Sequence, residues 1–180
     1  MQKPKALVID IDGTLANIEH RRHFVDKSLS NCCSGFISFI GNCSKCRNPC
    51  VPKRPDWKSF NESMHKDTVN QWCAQLIQGM WSPDYPEDMN ILFVTGREQQ
   101  YWHVTQQLIK KGCLMQDEHI KLFMRPNKDY RPDVDIKREI YEREIKDKYD
   151  VLFCIDDRQC VVDLWRSLGL ICLQCAPGDF

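Results

Sequence analysis

Short apolar runs recur along the chain, separated by stretches with a helical period. Ala6-Leu7-Val8-Ile9, Ile91-Leu92-Phe93-Val94, Ile120 to Met124, Val151 to Ile155 and Ile171 to Cys175 lack the alternation of half-exposed strands. Runs of this kind predict strands buried on both faces. Between them, Asp56 to about Met64 predicts a helix, and so does Asp67 to Met80. In the second, Asp67 is the expected N-cap, Val69, Trp72, Cys73, Leu76, Ile77 and Met80 share a face, and Ser82-Pro83-Asp84-Tyr85-Pro86 forms the stop. Glu98 to Lys111 predicts a helix closed by Gly112 as C-terminal cap. Asp133 to Tyr149 is helical by period and by its Glu139–Arg143, Glu142–Lys146 and Glu144–Lys148 pairs at i,i+4. Gln159 to Leu168 is the last helix. Strands alternating with helices predict an α/β fold, a doubly wound and mostly parallel sheet covered on both faces.

The rhythm fails after the first strand. Residues 28–55 carry little period and are too long for a bare loop, so they are expected to form a small insert or cap. Residues 1–27 and 56–180 remain as the core. The 180 residues, 42% hydrophobic and 28% charged, suit one globular domain. No apolar run approaches the roughly 18 residues of a membrane span. The apolar run before Asp10 is only four residues, fewer than a signal-peptide core needs, so a cytoplasmic location is expected.

The 25 basic and 25 acidic residues cancel, which argues against a protein that coats nucleic acid by bulk electrostatics. The insert departs from that balance. Lys27 to Pro55 has no Asp or Glu but holds Lys27, Lys45, Arg47, Lys53 and Arg54, together with five of the 11 cysteines. A basic cap could meet a nucleic-acid backbone; the alternative is a solvated face. Trp57 and Trp102 are candidates for stacking on a base, whereas Trp72 and Trp165 take core-like helical positions.

Ligands of open parallel sheets bind beyond the carboxyl ends of the strands. Asp10 and Asp12, Thr95 and Arg97, and Asp156 and Asp157 all fall there. Four carboxylates at two strand ends would repel one another, and a hard divalent cation such as Mg²⁺ relieves that. Taken singly, each strand-end Asp could instead be a turn or capping residue.

Asp10-Ile11-Asp12-Gly13-Thr14-Leu15, Thr95-Gly96-Arg97, Lys137 and Asp156-Asp157 resemble the four motifs of the haloacid dehalogenase (HAD) phosphatase superfamily. Arg21, Asp133, Arg158 and the ending Gly178-Asp179-Phe180 extend the likeness to the 3′-phosphatase domain of bacteriophage polynucleotide kinase-phosphatase. It covers nearly all of the chain outside about Ser28 to Pro55. No Gly-rich phosphate loop followed by Lys-Ser/Thr occurs, so a phosphatase without its kinase half is expected.

The resemblance implies a Mg²⁺-dependent phosphomonoesterase that removes 3′-phosphate from DNA or RNA ends. By it, Asp10 is the nucleophile and forms an aspartyl phosphate, and Asp12 is the general acid and base. Thr95 and Lys137 stabilise the phosphoryl oxygens. Asp10, the Asp12 carbonyl and Asp156 or Asp157 hold the metal, and Arg21, Arg97 and Asp133 face the substrate. An ion pair between Arg97 and Asp133, Asp156 or Asp157 is the alternative for that arginine, and simple solvation is the alternative for Lys137. A nucleotidase, and a binding module on an inactive core, are the competing functions. Whether a kinase or ligase works beside the chain is left open.

The insert adds a second candidate centre. Four of Cys32, Cys33, Cys43, Cys46 and Cys50 could hold a structural Zn²⁺. The alternative is a set of reduced thiols, as expected of Cys73, Cys154, Cys172 and Cys175.

Overall fold

The computed structural model describes residues 3–26, 54–80 and 89–178. The chain divides into two compact units, one of residues 1–17 and 67–179 and the other built on residues 18–66. In the larger unit, β1 (Lys5–Ile9), β4 (Asn90–Glu98), β5 (Lys121–Arg125), β6 (Asp150–Asp156) and β7 (Cys172–Gln174) form one sheet in the order β5-β4-β1-β6-β7. Every pairing in it is parallel. A separate antiparallel pair joins β2 (Ala16–Asn17) to β3 (Thr68–Val69).

Alternation along the buried strands sends Ala6, Val8, Leu92 and Val94 to one face. There they pack against Ile136, Ile140, Val161, Val162 and Trp165 of α5 (Asp133–Ile140) and α6 (Gln159–Ser167). Leu7, Ile9, Ile91 and Phe93 face the other way and are equally buried. The helices α3 (Gln71–Met80) and α4 (Trp102–Cys113) bury Cys73, Ile77, Ile109 and Cys113. The chain leaves β1 toward β4 and β5, then returns to the opposite side for β6 and β7. That reversal makes the carboxyl end of β1 a topological switch point, where such sheets bind ligands.

The predicted α/β fold is therefore the observed one, with local corrections. Asp67 does not cap a helix: α3 starts at Gln71, and the Asn70 carbonyl accepts from the Cys73 and Ala74 amides at 3.0 and 3.1 Å. Gly112 lies inside α4, because the left-handed residue after the helix is Leu114, at φ 57°. The long helix begins at Asp133 as predicted but turns π-helical over Tyr141–Ile145. Its three i,i+4 pairs form at 3.4, 2.7 and 2.7 Å. Trp165 is buried as expected, whereas Trp72 is 46% exposed. Cys73, Cys154 and Cys172 are buried free thiols, and Cys175 is half-buried.

In the second unit, α1 (Glu19–Arg22) and α2 (Trp57–Glu62) are joined by a bond from the Asp56 amide to the Phe24 carbonyl at 2.8 Å. Asp56 caps α2 through the Ser59 amide at 3.0 Å. The expected turn at Ser82 to Pro86 and all five cysteines of the candidate zinc centre lie outside the described residues. Among the described residues, no helix is long and apolar enough to cross a membrane.

Candidate active site

Asp10 is the first residue beyond β1, and its amide donates to the Ile155 carbonyl of β6 at 3.0 Å. Asp156 ends β6 and Asp157 follows it. Adjacent parallel strands thus bring Asp10, Asp156 and Asp157 together, each with an oxygen within 4.8 Å of the others and all buried. Gly13, at φ 86°, turns the backbone back so tightly that a Cβ there would overlap the Asp157 carboxylate. Gly178 approaches the same carboxylate equally closely.

Lys137 enters this cluster from α5 with only 1% of its side chain exposed. Its Nζ donates to Asp10 Oδ1 at 2.5 Å and to Asp156 Oδ2 at 2.8 Å, and lies 3.6 Å from Asp133 Oδ2. The solvated alternative for this lysine is excluded. Burial opposes its charge, but Asp10, Asp156 and Asp133 outweigh that and raise its pKa. Trp165 Nε1 also donates to Asp156 Oδ2, at 3.4 Å.

One ammonium does not balance three buried carboxylates. Burial raises the pKa of Asp10 well above the usual carboxylate range; Lys137 opposes this, while Asp156 and Asp157 add to it. Burial, then Asp156, pushes Asp157 up to about 7. Asp157 Oδ1 is buried without a hydrogen-bond partner. Orphaned buried acceptors are rare, and an all-oxygen donor set with two excess negative charges fits a hard divalent cation of the Mg²⁺ type.

Asp12 is held apart from that cluster. Arg97 donates to it from Nε, at 3.2 Å to Oδ1 and 3.0 Å to Oδ2, and from Nη2 at 2.7 Å to Oδ1. Arg97 also donates from Nη2 to Asp67 Oδ2 at 2.6 Å and from Nη1 to Thr105 Oγ1 at 3.2 Å. Its ion-pair partners are therefore Asp12 and Asp67 rather than Asp133, Asp156 or Asp157. Burial works against the guanidinium charge, but these two carboxylates hold its pKa above the ordinary value. The register between β4 and β5 shifts between Thr95 and Glu98, and this irregularity at Gly96-Arg97 re-aims the arginine. Thr95 is fully buried, and its Oγ1 accepts from the Arg97 amide at 3.2 Å.

Asp133 faces three cations: Lys137, Arg125 at 3.4 Å and Arg158 at 3.5 Å. Arg21 belongs to the second unit. It is buried there with its guanidinium 4.0 Å from the Phe60 ring centroid and Nη1 donating to the Phe60 carbonyl at 3.4 Å. Asp67, Thr105, Arg125 and the Trp165 contact were not anticipated. Thr105 had left a signal, as a polar side chain in the buried i,i+4,i+8 stripe with Ile109 and Cys113.

Residues 53–180, more than half of the chain, match the family of the polynucleotide kinase PNKP phosphatase domain. The chain belongs to that family. Thr95, Arg97, Asp133, Lys137, Asp156 and Asp157 lie inside the matched stretch of this PNKP-type domain, while Asp10, Asp12 and Arg21 precede it. Over 83 residues, 46% of the chain, it is 36% identical to a protein of Autographa californica nuclear polyhedrosis virus assigned as a bifunctional polynucleotide kinase/RNA ligase. It superposes with a TM-score of 0.68 and 28% identity on a chain of the Pnkp1/Rnl/Hen1 RNA repair complex, over 99% of its own length. The PNKP-type chain spans 12% of the viral relative and 44% of the repair-complex chain. A magnesium complex of a HAD family enzyme from Bacteroides thetaiotaomicron, 13% identical with a TM-score of 0.53, covers 99% of the chain and shares the fold.

Proposed function

We propose that this domain is a phosphomonoesterase that removes the 3′-phosphate from a polynucleotide end by way of an aspartyl phosphate. The observation that carries the proposal is the pairing of two differently held carboxylates at one strand end. Asp10 sits in a buried cluster with Lys137, and Asp12 sits two residues on, gripped by Arg97.

In the first step a carboxylate oxygen of Asp10 attacks phosphorus and the bond from phosphorus to the 3′ oxygen breaks. Asp12 gives its proton to that leaving oxygen. In the second step Asp12 takes a proton from water, the water oxygen attacks the phosphoryl group, and inorganic phosphate leaves with Asp10 restored. Lys137 offsets the charge on the phosphoryl oxygens, and Thr95, within β4, contributes hydrogen bonding. Asp133 and Arg21 serve the substrate side, with Arg97 acting there through its hold on Asp12. Asp10, the Asp12 carbonyl, Asp156 and Asp157 would hold Mg²⁺, which when bound supplies positive charge beside the transferring phosphoryl group.

RNA is the favoured end, because the viral relative is assigned as a kinase/RNA ligase and the solved relative comes from an RNA repair complex. A kinase and a ligase acting on the same broken end are the corresponding partners. The test is phosphate release with Mg²⁺ from a 3′-phosphorylated oligonucleotide, a 3′-mononucleotide and a 5′-mononucleotide, with Asp10→Asn protein as blank. Preference for the oligonucleotide is the expected result. Equal or faster turnover of mononucleotides would make the enzyme a nucleotidase, and turnover by Asp10→Asn would overturn the mechanism.

A further inference from the structure

Three separate segments meet the Arg97 guanidinium, and two of them serve no step described above. Arg97 itself comes from β4, Asp12 from the loop after β1, Thr105 from α4 and Asp67 from the residue before β3. The Asp67 carboxylate is 0% exposed, and the Arg97 side chain is 1% exposed. Such burial is a poor source of stability, because desolvating a charge pair costs about as much as the pair returns. It is an effective way to fix direction. Nη2 is shared between Asp67 and Asp12, and Nη1 is tied to Thr105, so the guanidinium plane is set from two sides before Asp12 meets its edge.

Asp67 is in turn fixed to the loop that carries Asp12. Asn17 pairs with Thr68 and Ala16 with Val69, and Asp12 bridges to Ala16. The Asn70 amide donates to the Leu15 carbonyl at 2.8 Å, and Asn70 Nδ2 donates to the Thr14 carbonyl at 2.8 Å. The aspartate that orients Arg97 and the aspartate that Arg97 orients therefore ride on one small hydrogen-bonded scaffold.

We propose that Asp67, with Thr105, is a positioning residue for the reaction: it holds the Arg97 guanidinium in the plane that aims the Asp12 carboxyl at the leaving oxygen. The inference rests on the phosphatase reading given above. The Asp67 carboxylate is fully buried against Arg97, so its effect falls on the barriers that Asp12 lowers, the first of which is departure of the leaving group. A poor leaving group such as a ribose oxygen needs that proton. The nitrophenolate of p-nitrophenyl phosphate departs without one.

The experiment compares Asp67→Asn with unmodified protein on a 3′-phosphorylated oligonucleotide and on p-nitrophenyl phosphate, with Mg²⁺ and with thermal melts alongside. The expected loss in kcat/KM, which stops at departure of the leaving group and so leaves out the Asp12-dependent hydrolysis of the aspartyl phosphate, is about 10- to 100-fold on the oligonucleotide, the size of a misaimed general acid, and under about 3-fold on p-nitrophenyl phosphate. Asp67→Glu, which keeps the charge, is expected to recover part of the loss. Thr105→Val frees Nη1 and is expected to show the same selectivity at smaller size, so the idea stays testable if Asp67→Asn does not fold. Equal losses in kcat/KM on both substrates, or no loss on either, would overturn the positioning role while leaving the phosphatase reading intact. Failure of the unmodified protein on both substrates would remove the two together.

Discussion

Lys137 donates from Nζ to Oδ1 of Asp10 at 2.5 Å, joining α5 to the end of β1 in a pair almost wholly out of water. Removing one partner of a buried pair leaves the other uncompensated, at about 3–5 kcal/mol. Lys137→Met is expected to cost that much in metal-free protein at pH 8. The cost should be smaller at pH 5, because Asp10 and Asp157, whose pKa values are raised, relieve the repulsion by holding protons. Urea denaturation at the two pH values measures the difference, and equal losses would mean the ammonium does not balance these carboxylates. Turnover of Lys137→Met should fall by about 100-fold or more, as for other groups aimed at transition-state charge.

On the proposed reading, Asp157 would couple Mg²⁺ binding to pH. Its carboxyl titrates near 4 in an unfolded chain and at about 7 in the fold, chiefly through burial. Between those values the folded state binds the extra proton, so this group's contribution to stability is full below pH 4 and is lost as pH rises through 7. Metal-free protein is expected to melt lower at pH 8 than at pH 5 on this account, and Mg²⁺ should recover more at pH 8. Binding near neutral pH should release a proton from Asp157. Titration calorimetry in two buffers of different ionisation enthalpy checks that, and a buffer-independent heat would refute it. Asp157→Asn should reduce the release, leaving the share that comes from Asp10, and weaken Mg²⁺ binding.

Two glycines with nearly the same backbone separate strain from collision. Gly13 is at φ 86° and Gly169 at φ 80°, so alanine is strained by about 1–2 kcal/mol at either. At Gly13 the new methyl would also overlap the Asp157 carboxylate, whereas at Gly169 nothing lies within 4 Å. Gly169→Ala is expected to lower stability alone and leave kcat and Mg²⁺ affinity unchanged. Gly13→Ala should lose both by at least 10-fold. Similar kinetics for the two variants would sink the idea that Gly13 makes room for the Asp157 carboxylate proposed to hold the metal.

The fold was legible because buried parallel strands are continuous apolar runs, and Ala6 to Ile9 or Ile91 to Val94 admit few other readings. Asp10, Asp156 and Asp157 were legible for the same reason, since a carboxylate ending such a run must lie at the carboxyl ends of the strands. That Lys137 and Asp10 share one site came from family resemblance, because 127 residues separate them and no local spacing encodes their contact. Asp67 was misread. An aspartate before an apolar helical period satisfies the rule for an N-cap, and only the distant Arg97 reveals that its charge is used elsewhere. Trp72 was misplaced because one helix face carries more apolar residues than α3 buries, leaving this ring at its exposed margin.

Gly112 was read as a cap by the same local logic, and the observed end of α4 reverses two ordinary expectations. Alanine is favoured over glycine within a helix by about 1 kcal/mol, so Gly112→Ala would stabilise an isolated α4. In the fold its methyl would overlap the Val69 side chain of β3, and Val69 is held by its pairing with Ala16. Gly112→Ala is therefore expected to destabilise the protein by about 1–3 kcal/mol, the usual range for overpacking. Leu114 carries the opposite sign. It occupies φ 57° at the helix end and is 74% exposed, so glycine would relieve left-handed strain and forfeit little buried surface. The relief of about 1–2 kcal/mol stands against the added chain entropy of glycine, about 0.4–1 kcal/mol, and leaves a net gain of about 0–1.6 kcal/mol. Thermal melts of the two single variants and the double variant decide the matter. A stabilising Gly112→Ala or a destabilising Leu114→Gly would show that the end of α4 is set otherwise than by the packing of Gly112 on Val69.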